Sequence, residues 1–584
     1  MKINSRAAIF LGFLLAFSPG LAQAQKEAGA KDLPVKSYFG EHIRMRDGVL
    51  LAADVYRPDT TGKVDCIVNR TPYLKNSQSA LKLGRYFASH GYAFVVVDVR
   101  GRGDSEGEFV PYRNEGKDGY DAIEWCATQP WSTGRVGTIG GSYNGKNQWL
   151  AAVEQPPHLV TMIALVSPSD PFVEFPTGEP SPMEASWYYL TSGHVLQNME
   201  AVDWNAVNNH LPLLTADEAT GRRIPAWKEQ FAHAQLDGFW EPEEYQTRYS
   251  RVQVPVLHIS GWYDDEQVGT PLNYIGMTTK APLEVRGNQK LIMGPWPHAV
   301  NSTSKLGEVD FGPSATIDMN NVWLRWFDAW LKGVDNGVRA EPPVHIFLMG
   351  ANQWMDEKEW PLAKTHYAEF YFHGTGRSNT LYGDGKLSES KPTAEKPDSF
   401  TYDPADPVPF ITDPSFEQIG GPDDYRAVER RDDVLVYTSD PVQQDTEVCG
   451  PIKVTLYAAT SGKDTDFTAK LLDVWPSGFA ERLSDGIVRA RFRNGMQKQE
   501  AIAPGTAYEY QIDAWNTCQM FKPGHRFRVE ISSSAFPKYS RNLNNGEALG
   551  KTAEMMVARQ TIYHDAAHPS HITLPIIETT EKSK

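Results

Sequence analysis

A serine sits where a β-branched run breaks into glycines, Val136-Gly137-Thr138-Ile139-Gly140-Gly141-Ser142-Tyr143-Asn144-Gly145. The segment Lys146 to Val153 that follows is compatible with a helix. Strand, tight turn and helix place Ser142 at the apex, its oxygen beside a helix N-terminus and its small neighbours letting the turn pack. A serine becomes a nucleophile when a base takes its proton, and the base needs a carboxylate to orient it. Two later segments supply these groups: Gly261-Trp262-Tyr263-Asp264 and Gly294-Pro295-Trp296-Pro297-His298. The chemistry encoded by Ser142, Asp264 and His298 is acyl transfer through an acyl-enzyme. It needs donors for a developing oxyanion; the backbone N–H of Tyr143 and the hydroxyl of Tyr73 are the candidates. His258 lies inside an apolar strand and reads as core, and Asp265 is expected to point away from its neighbour's target. Gly145 stands three residues after the serine, a departure from the G-x-S-x-G spacing.

Something must bring these residues together. Asp47-Gly48 between Ile43–Arg46 and Val49–Tyr56 signals a hairpin. Cys66–Arg70, Ala93–Val99, the serine strand, Leu159–Val166, Val254–Gly261 and Lys290–Gly294 read as buried strands, with helices expected near 78–90, 116–128, 268–278 and 319–333. The continuous apolar runs are those of parallel strands covered on both faces. Parallel strands put their C-terminal ends on one edge, where the serine turn and the Asp264 and His298 loops would meet. The expected class is α/β, an α/β-hydrolase fold, whose triad order is Ser, Asp, His. Residues 25–167 and 251–337 form its two parts. Between them, 168–250 is rich in Trp, Tyr, Pro and Glu without a comparable strand and reads as a helical cap. From 338 to 577 short alternating strands, beginning with Val344–Met349, read as a C-terminal all-β jelly-roll sandwich; 578–584 is a polar tail. The loop Arg100–Gly107 lacks phosphate-loop spacing and reads as a tight strand end.

The chain has 584 residues and a formal charge of −16, with no basic, aromatic-interleaved stripe, which excludes a nucleic-acid binder. No internal segment has the length and apolarity of a membrane span. Residues 1–24 read as a signal peptide: Lys2 and Arg6, a short apolar run from Ala7 to Phe17, and Ala22-Gln23-Ala24 before a cleavage point. That predicts export, to the periplasm or beyond. Cys66, Cys126, Cys449 and Cys518 show no C-x-x-C spacing; Cys449 and Cys518 are equally compatible with a disulfide and with buried thiols. No metal or organic cofactor is implied, the partner is a small-molecule ester or amide, and a monomer and a homo-oligomer are both compatible with the sequence.

Taken together, Arg70-Thr71-Pro72-Tyr73, the Arg100–Gly107 loop, Gly140–Gly145, Gly261–Asp264 and Gly294–His298 resemble the X-Pro dipeptidyl-peptidase-like serine hydrolases. Phe347–Trp354, Asp464–Phe467, Ser484-Asp485-Gly486, Gly524–Arg526 and Ser532–Pro537 resemble that family's jelly-roll domain, so the likeness runs from about 38 to 577. The family includes cocaine esterase, α-amino-acid ester hydrolases and glutaryl-7-aminocephalosporanic acid acylases. The resemblance assigns the triad to Ser142, Asp264 and His298 and an oxyanion donor to Tyr73, and it makes Gly145 the family's own spacing. α-Amino-acid ester hydrolases hold the substrate ammonium with carboxylates, partly just after the catalytic Asp. Glu266 matches one such position, Gln267 replaces another, and Glu179 of the cap is a candidate for a third. The expectation is an ester or amide hydrolase; the alternatives are an X-Pro exopeptidase and a binding protein on an inactive hydrolase scaffold.

Overall fold

The computed structural model describes residues 32–412 and 420–578. The expected signal peptide and all but the first residue of the expected tail lie outside the described residues. Asp47-Gly48 turns the first hairpin. β1 (Val35–Arg44) and β2 (Leu50–Pro58) run antiparallel, the turn closed by Gly48 N–H donating to Met45 O at 2.9 Å. Gly48 has φ of 94°, a conformation that costs glycine little.

Six parallel strands follow: β3 (Val64–Thr71), β4 (Tyr92–Asp98), β5 (Ser132–Gly141), β6 (Leu159–Leu165), β7 (Val256–Gly261) and β8 (Lys290–Gly294). They lie in the order β4-β3-β5-β6-β7-β8, with β2 antiparallel to β4. Every residue of β4 is buried, the mark of a strand covered on both faces. Val68, Val95, Met162 and Trp149 fill one face of the sheet; Phe94, Val96, Ile163 and Phe327 fill the other. The crossovers α1 (Gln78–Ser89), α2 (Glu115–Thr128) and α3 (Tyr143–Ala152) agree with the periodicity.

Helix α3, which follows the serine, buries nine of its ten residues although several are polar. Two of its amides reach neighbouring backbone: Gln148 Nε2 donates to Asn144 O (2.8 Å) and Ile163 O (3.1 Å), and Asn147 Nδ2 donates to Arg70 O (3.0 Å). Buried polar groups without such partners would cost roughly 1–3 kcal/mol each, so these bonds fix the helix to β3 and β6.

Past the boundary expected at 337/338 the chain does not turn at once to the second sheet. The strand Val344–Leu348, expected to open the sandwich, pairs in parallel with β8 (Val344↔Leu291, His345↔Ile292, Ile346↔Met293) and extends the first sheet. Gln353–Glu357 then closes that edge antiparallel to it. Without them β8 would be an unpaired edge. Short alternating strands look alike in sequence whichever sheet takes them.

Residues 168–250 contain no strand among the described residues. Short helices, among them α4 (Glu184–Leu190), gather around Tyr188, Trp204, Val207, Trp227 and Phe231 as a small core of their own. From Thr365 to Ile577 the described residues form a twelve-stranded β domain around Phe372, Tyr437, Leu456, Phe467 and Ile512. Cys449 and Cys518 face each other on neighbouring strands and are joined in a disulfide; Cys66 and Cys126 are buried free thiols. The domains share a core: Trp262, Leu291 and Met349 pack with the disulfide.

Candidate active site

Ser142 sits between β5 and α3 with φ 59° and ψ −129°, a strained conformation for a residue with a side chain. The strain is held in place: Ser142 N–H donates to Leu165 O and Val166 O (3.1 and 3.0 Å). A Cβ on Gly140 would meet Asn144 Cβ at 2.5 Å, and one on Gly145 would meet Leu165 O at 2.7 Å. The second glycine is therefore required three residues after the serine, where the helix crosses the end of β6. Tyr143 is the first residue of α3, so its N–H has no intrahelical acceptor.

Asp264 ends the turn after β7. Gly261 is needed there because a Cβ would fall 2.0 Å from Trp296 O. The Asp264 carboxylate accepts from Ser260 Oγ (2.6 Å), from Glu266 N–H (3.1 Å) and from His298 Nδ1 (2.7 Å). His298 follows Trp296, whose buried indole donates to Ala315 O at 2.7 Å and anchors the loop. With Nδ1 on Asp264, Nε2 is the nitrogen left to exchange a proton with a nucleophile.

Asp265 does not point away. Its Oδ1 is 3.3 Å from the same His298 Nδ1, and Glu266 Oε2 is 3.9 Å from it. Burial works against an imidazolium here, but the carboxylates of Asp265, Asp264 and Glu266 outweigh it and raise the His298 pKa. The ligand atoms of Asp264, Asp265 and His298 lie close enough together to suggest a cation site. The direct 2.7 Å hydrogen bond between Asp264 and His298 fills that gap instead.

Tyr73 follows β3. Its hydroxyl accepts the indole N–H of Trp187 at 2.9 Å, and burial raises its pKa. Arg70, two residues before Pro72, pairs with Glu115 at 2.6 Å; Glu115 also accepts the Tyr143 hydroxyl at 2.8 Å. The motif thereby ties the end of β3 that carries Tyr73 to the serine turn.

Ser142, Tyr73, His298, Asp265 and Glu266 line one cavity of about 1230 Å³ roofed by the cap. Glu266 Oε2 is buried there with no hydrogen-bond partner among the described residues, and burial holds its pKa well above the carboxylate range. Glu179 also lines the cavity, but its carboxylate is spent elsewhere. It pairs with Arg489 at 2.6 Å and accepts from Ser540 Oγ at 2.7 Å, so it is a buried link between cap and β domain and not a spare anion. Two cap residues that sequence reasoning did not select, Glu174 and Glu184, line the same cavity, with pKa values pushed by burial to about 7 and about 8. Nothing in their local sequence separates them from the cap's other acids. Gln267 turns to the β domain, donating to Asn516 O (2.5 Å) and accepting from Asn516 Nδ2 (3.2 Å). A carboxylate at that position would lose the donated bond.

A serine on a strained strand-to-helix turn, a histidine held by a carboxylate at later strand ends, and a roofed cavity between them define a serine hydrolase on the α/β-hydrolase fold. The chain belongs to the X-Pro dipeptidyl-peptidase family. Residues 47–300 match the X-Pro dipeptidyl-peptidase (S15 family) model, and residues 336–573 match the X-Pro dipeptidyl-peptidase C-terminal non-catalytic domain. The chain is 36% identical over 571 residues to cocaine esterase of Rhodococcus sp. (strain MB1 Bresler), covering 92% of this chain and 98% of that one. It is 26% identical over 639 residues to a putative serine esterase of Mycobacterium tuberculosis (strain CDC 1551 / Oshkosh), covering 93% and 95%. Among solved structures, an α-amino acid ester hydrolase superposes with a TM-score of 0.80 at 26% identity, covering 96% of this chain and 100% of that one. An aminopeptidase from a marine sediment archaeon, Thaumarchaeota archaeon, gives 0.81 at 26% identity, with the same coverage.

Proposed function

We propose that this serine hydrolase is exported and cleaves an ester or amide of an α-amino acid through an acyl-enzyme. The observation that carries the substrate reading is the buried Glu266 Oε2 on the wall of the serine cavity, which has no hydrogen-bond partner among the described residues. Glu266, Glu174, Glu184 and Asp265 repel one another, and burial raises the pKa of each. A substrate ammonium among them relieves that repulsion, and in a site that partly excludes water a charge pair counts for more than at the surface.

In the reaction, His298 Nε2 takes the Ser142 proton as the serine oxygen attacks the carbonyl carbon. Asp264 keeps Nδ1 protonated and the ring oriented. The carbonyl oxygen becomes an oxyanion received by the Tyr73 hydroxyl and the Tyr143 N–H. On collapse the His298 proton passes to the leaving alcohol or amine. Water, deprotonated by His298, then releases the acyl group from Ser142. The apolar stretch near the N-terminus and the Cys449–Cys518 disulfide support export to an oxidising compartment.

The test is kcat/KM for phenylglycine methyl ester against phenylacetic acid methyl ester, which lacks the amine. A preference of about tenfold or more for the amino ester is expected, falling in Glu266→Gln and in Glu184→Gln. Equal values for the pair in the wild-type enzyme would remove the ammonium site and leave a general esterase or acylase. The same ammonium pocket suits the N-terminus of a peptide, and the likeness to an aminopeptidase favours that second reading. Turnover of X-Pro p-nitroanilides above that of the aminoacyl esters would select it.

A further inference from the structure

We infer that Trp187 of the cap is a positioning residue for the oxyanion site: its indole N–H orients the Tyr73 phenol, so that the site is complete only with the cap seated. This rests on the reading of Tyr73 as an oxyanion donor and assigns that role a partner in another part of the chain.

Trp187 lies in the middle of α4 and donates to Tyr73 Oη at 2.9 Å. An indole N–H can only donate, so the phenol oxygen is the acceptor in this bond. The phenol's own proton is thereby directed away from the cap. Tyr73 also hydrogen-bonds with Ser142, and both line the same cavity. When the substrate oxygen gains charge, Tyr73 shares its proton with that oxygen and its own oxygen becomes more negative. The indole N–H then stabilises the same oxygen. Burial opposes any charge on that phenol, which makes a donor placed against it more valuable.

The indole is itself fixed by its surroundings. It stacks on Tyr143, ring centroids 5.8 Å apart with 21° between planes, and Tyr143 stacks in turn on Tyr112 at 4.3 Å. Tyr143 is the residue whose N–H is the other oxyanion donor, so one side chain touches both donors' residues. The buried Arg102 clamps the two backbones involved. Its Nε donates to Pro72 O at 2.9 Å, next to Tyr73, and its Nη1 donates to Thr191 O at 2.5 Å, the residue that ends α4. The loop carrying Tyr73 and the helix carrying Trp187 are thus held in one register by a single guanidinium.

The test exchanges Trp187 for β-(3-benzothienyl)alanine, which replaces the N–H with sulfur and keeps the ring shape, so the cavity wall and the fold remain. With p-nitrophenyl butyrate, kcat is expected to fall about tenfold, the scale of one lost hydrogen bond, while KM changes by less than about twofold. In a Tyr73→Phe enzyme the same exchange is expected to leave kcat within about twofold, because the phenol through which the indole acts is gone. Equal losses in both backgrounds, or a change confined to KM, would make Trp187 a substrate contact and overturn the inference. An unchanged kcat in the wild-type background, beside a clear loss for Tyr73→Phe, would overturn the inference alone. A Tyr73→Phe enzyme with undiminished kcat would overturn the oxyanion reading and this inference with it.

Discussion

Asp265→Asn is expected to move the acid limb of the kcat/KM profile to lower pH. Asp265 Oδ1 lies 3.3 Å from His298 Nδ1. A unit charge at that distance stabilises an imidazolium by about 1.3 kcal/mol at the dielectric of water and by about 5 kcal/mol at an effective dielectric near 20. At about 1.36 kcal/mol per pKa unit, the limits are about 0.9 and about 3.7 units. The Asp265 side chain is 20% exposed and its own pKa is raised by burial, so it carries part of a charge in a partly solvated place. Both effects favour the lower limit, and a shift of about one unit is expected. The direction follows from the base being the neutral imidazole. The carboxylates raise the His298 pKa against the opposing effect of burial, so removing one lets the ring lose its proton at lower pH and activity begins earlier. The assay is kcat/KM for an uncharged p-nitrophenyl ester, measured from about pH 5 to about pH 10, so that substrate ionisation plays no part. Glu266→Gln, at 3.9 Å, should shift the limb the same way by less. A limb that stays in place or moves to higher pH in Asp265→Asn would refute the claim that these carboxylates set the base.

Ser142→Ala should keep the fold, since the turn favours small residues, and lose activity by more than about a thousandfold; retention of a tenth of wild-type turnover would sink the nucleophile, and a fluorophosphonate should label Ser142 alone. A chain ending at residue 337 should be insoluble or inactive when expressed and assayed. It loses Val344–Leu348, the parallel neighbour of β8, and the Asn516 groups that hold Gln267, two residues from the site's Asp265. A soluble, fully active product of that length would show the β domain to be a separable appendage.

The sequence by itself determined the parts whose signal is local. Gly140, Ser142 and Gly145 specify a turn through backbone conformation and close packing, which depend on a few neighbouring residues. The apolar runs of β3 to β8 and the intervening helices specify a parallel sheet, and a parallel sheet puts Ser142, Asp264 and His298 on one edge. The hairpin at Asp47-Gly48 is legible for the same reason. Which sheet received Val344–Leu348 was not local: its alternation suits either, and the unpaired edge of β8 decided it. Nor was the choice among acidic residues. Glu179 and Glu184 lie five residues apart in one stretch of the cap, yet Arg489, 310 residues further on, neutralises the first, while burial on the cavity wall raises the pKa of the second. Asp265 was read as facing away because neighbouring side chains diverge on regular elements, but it sits in an irregular turn where both carboxylates reach His298. The pairing of Cys449 with Cys518 likewise needed the register of two strands 69 residues apart. Charges and thiols act across space, and only the packed chain says which of them meet.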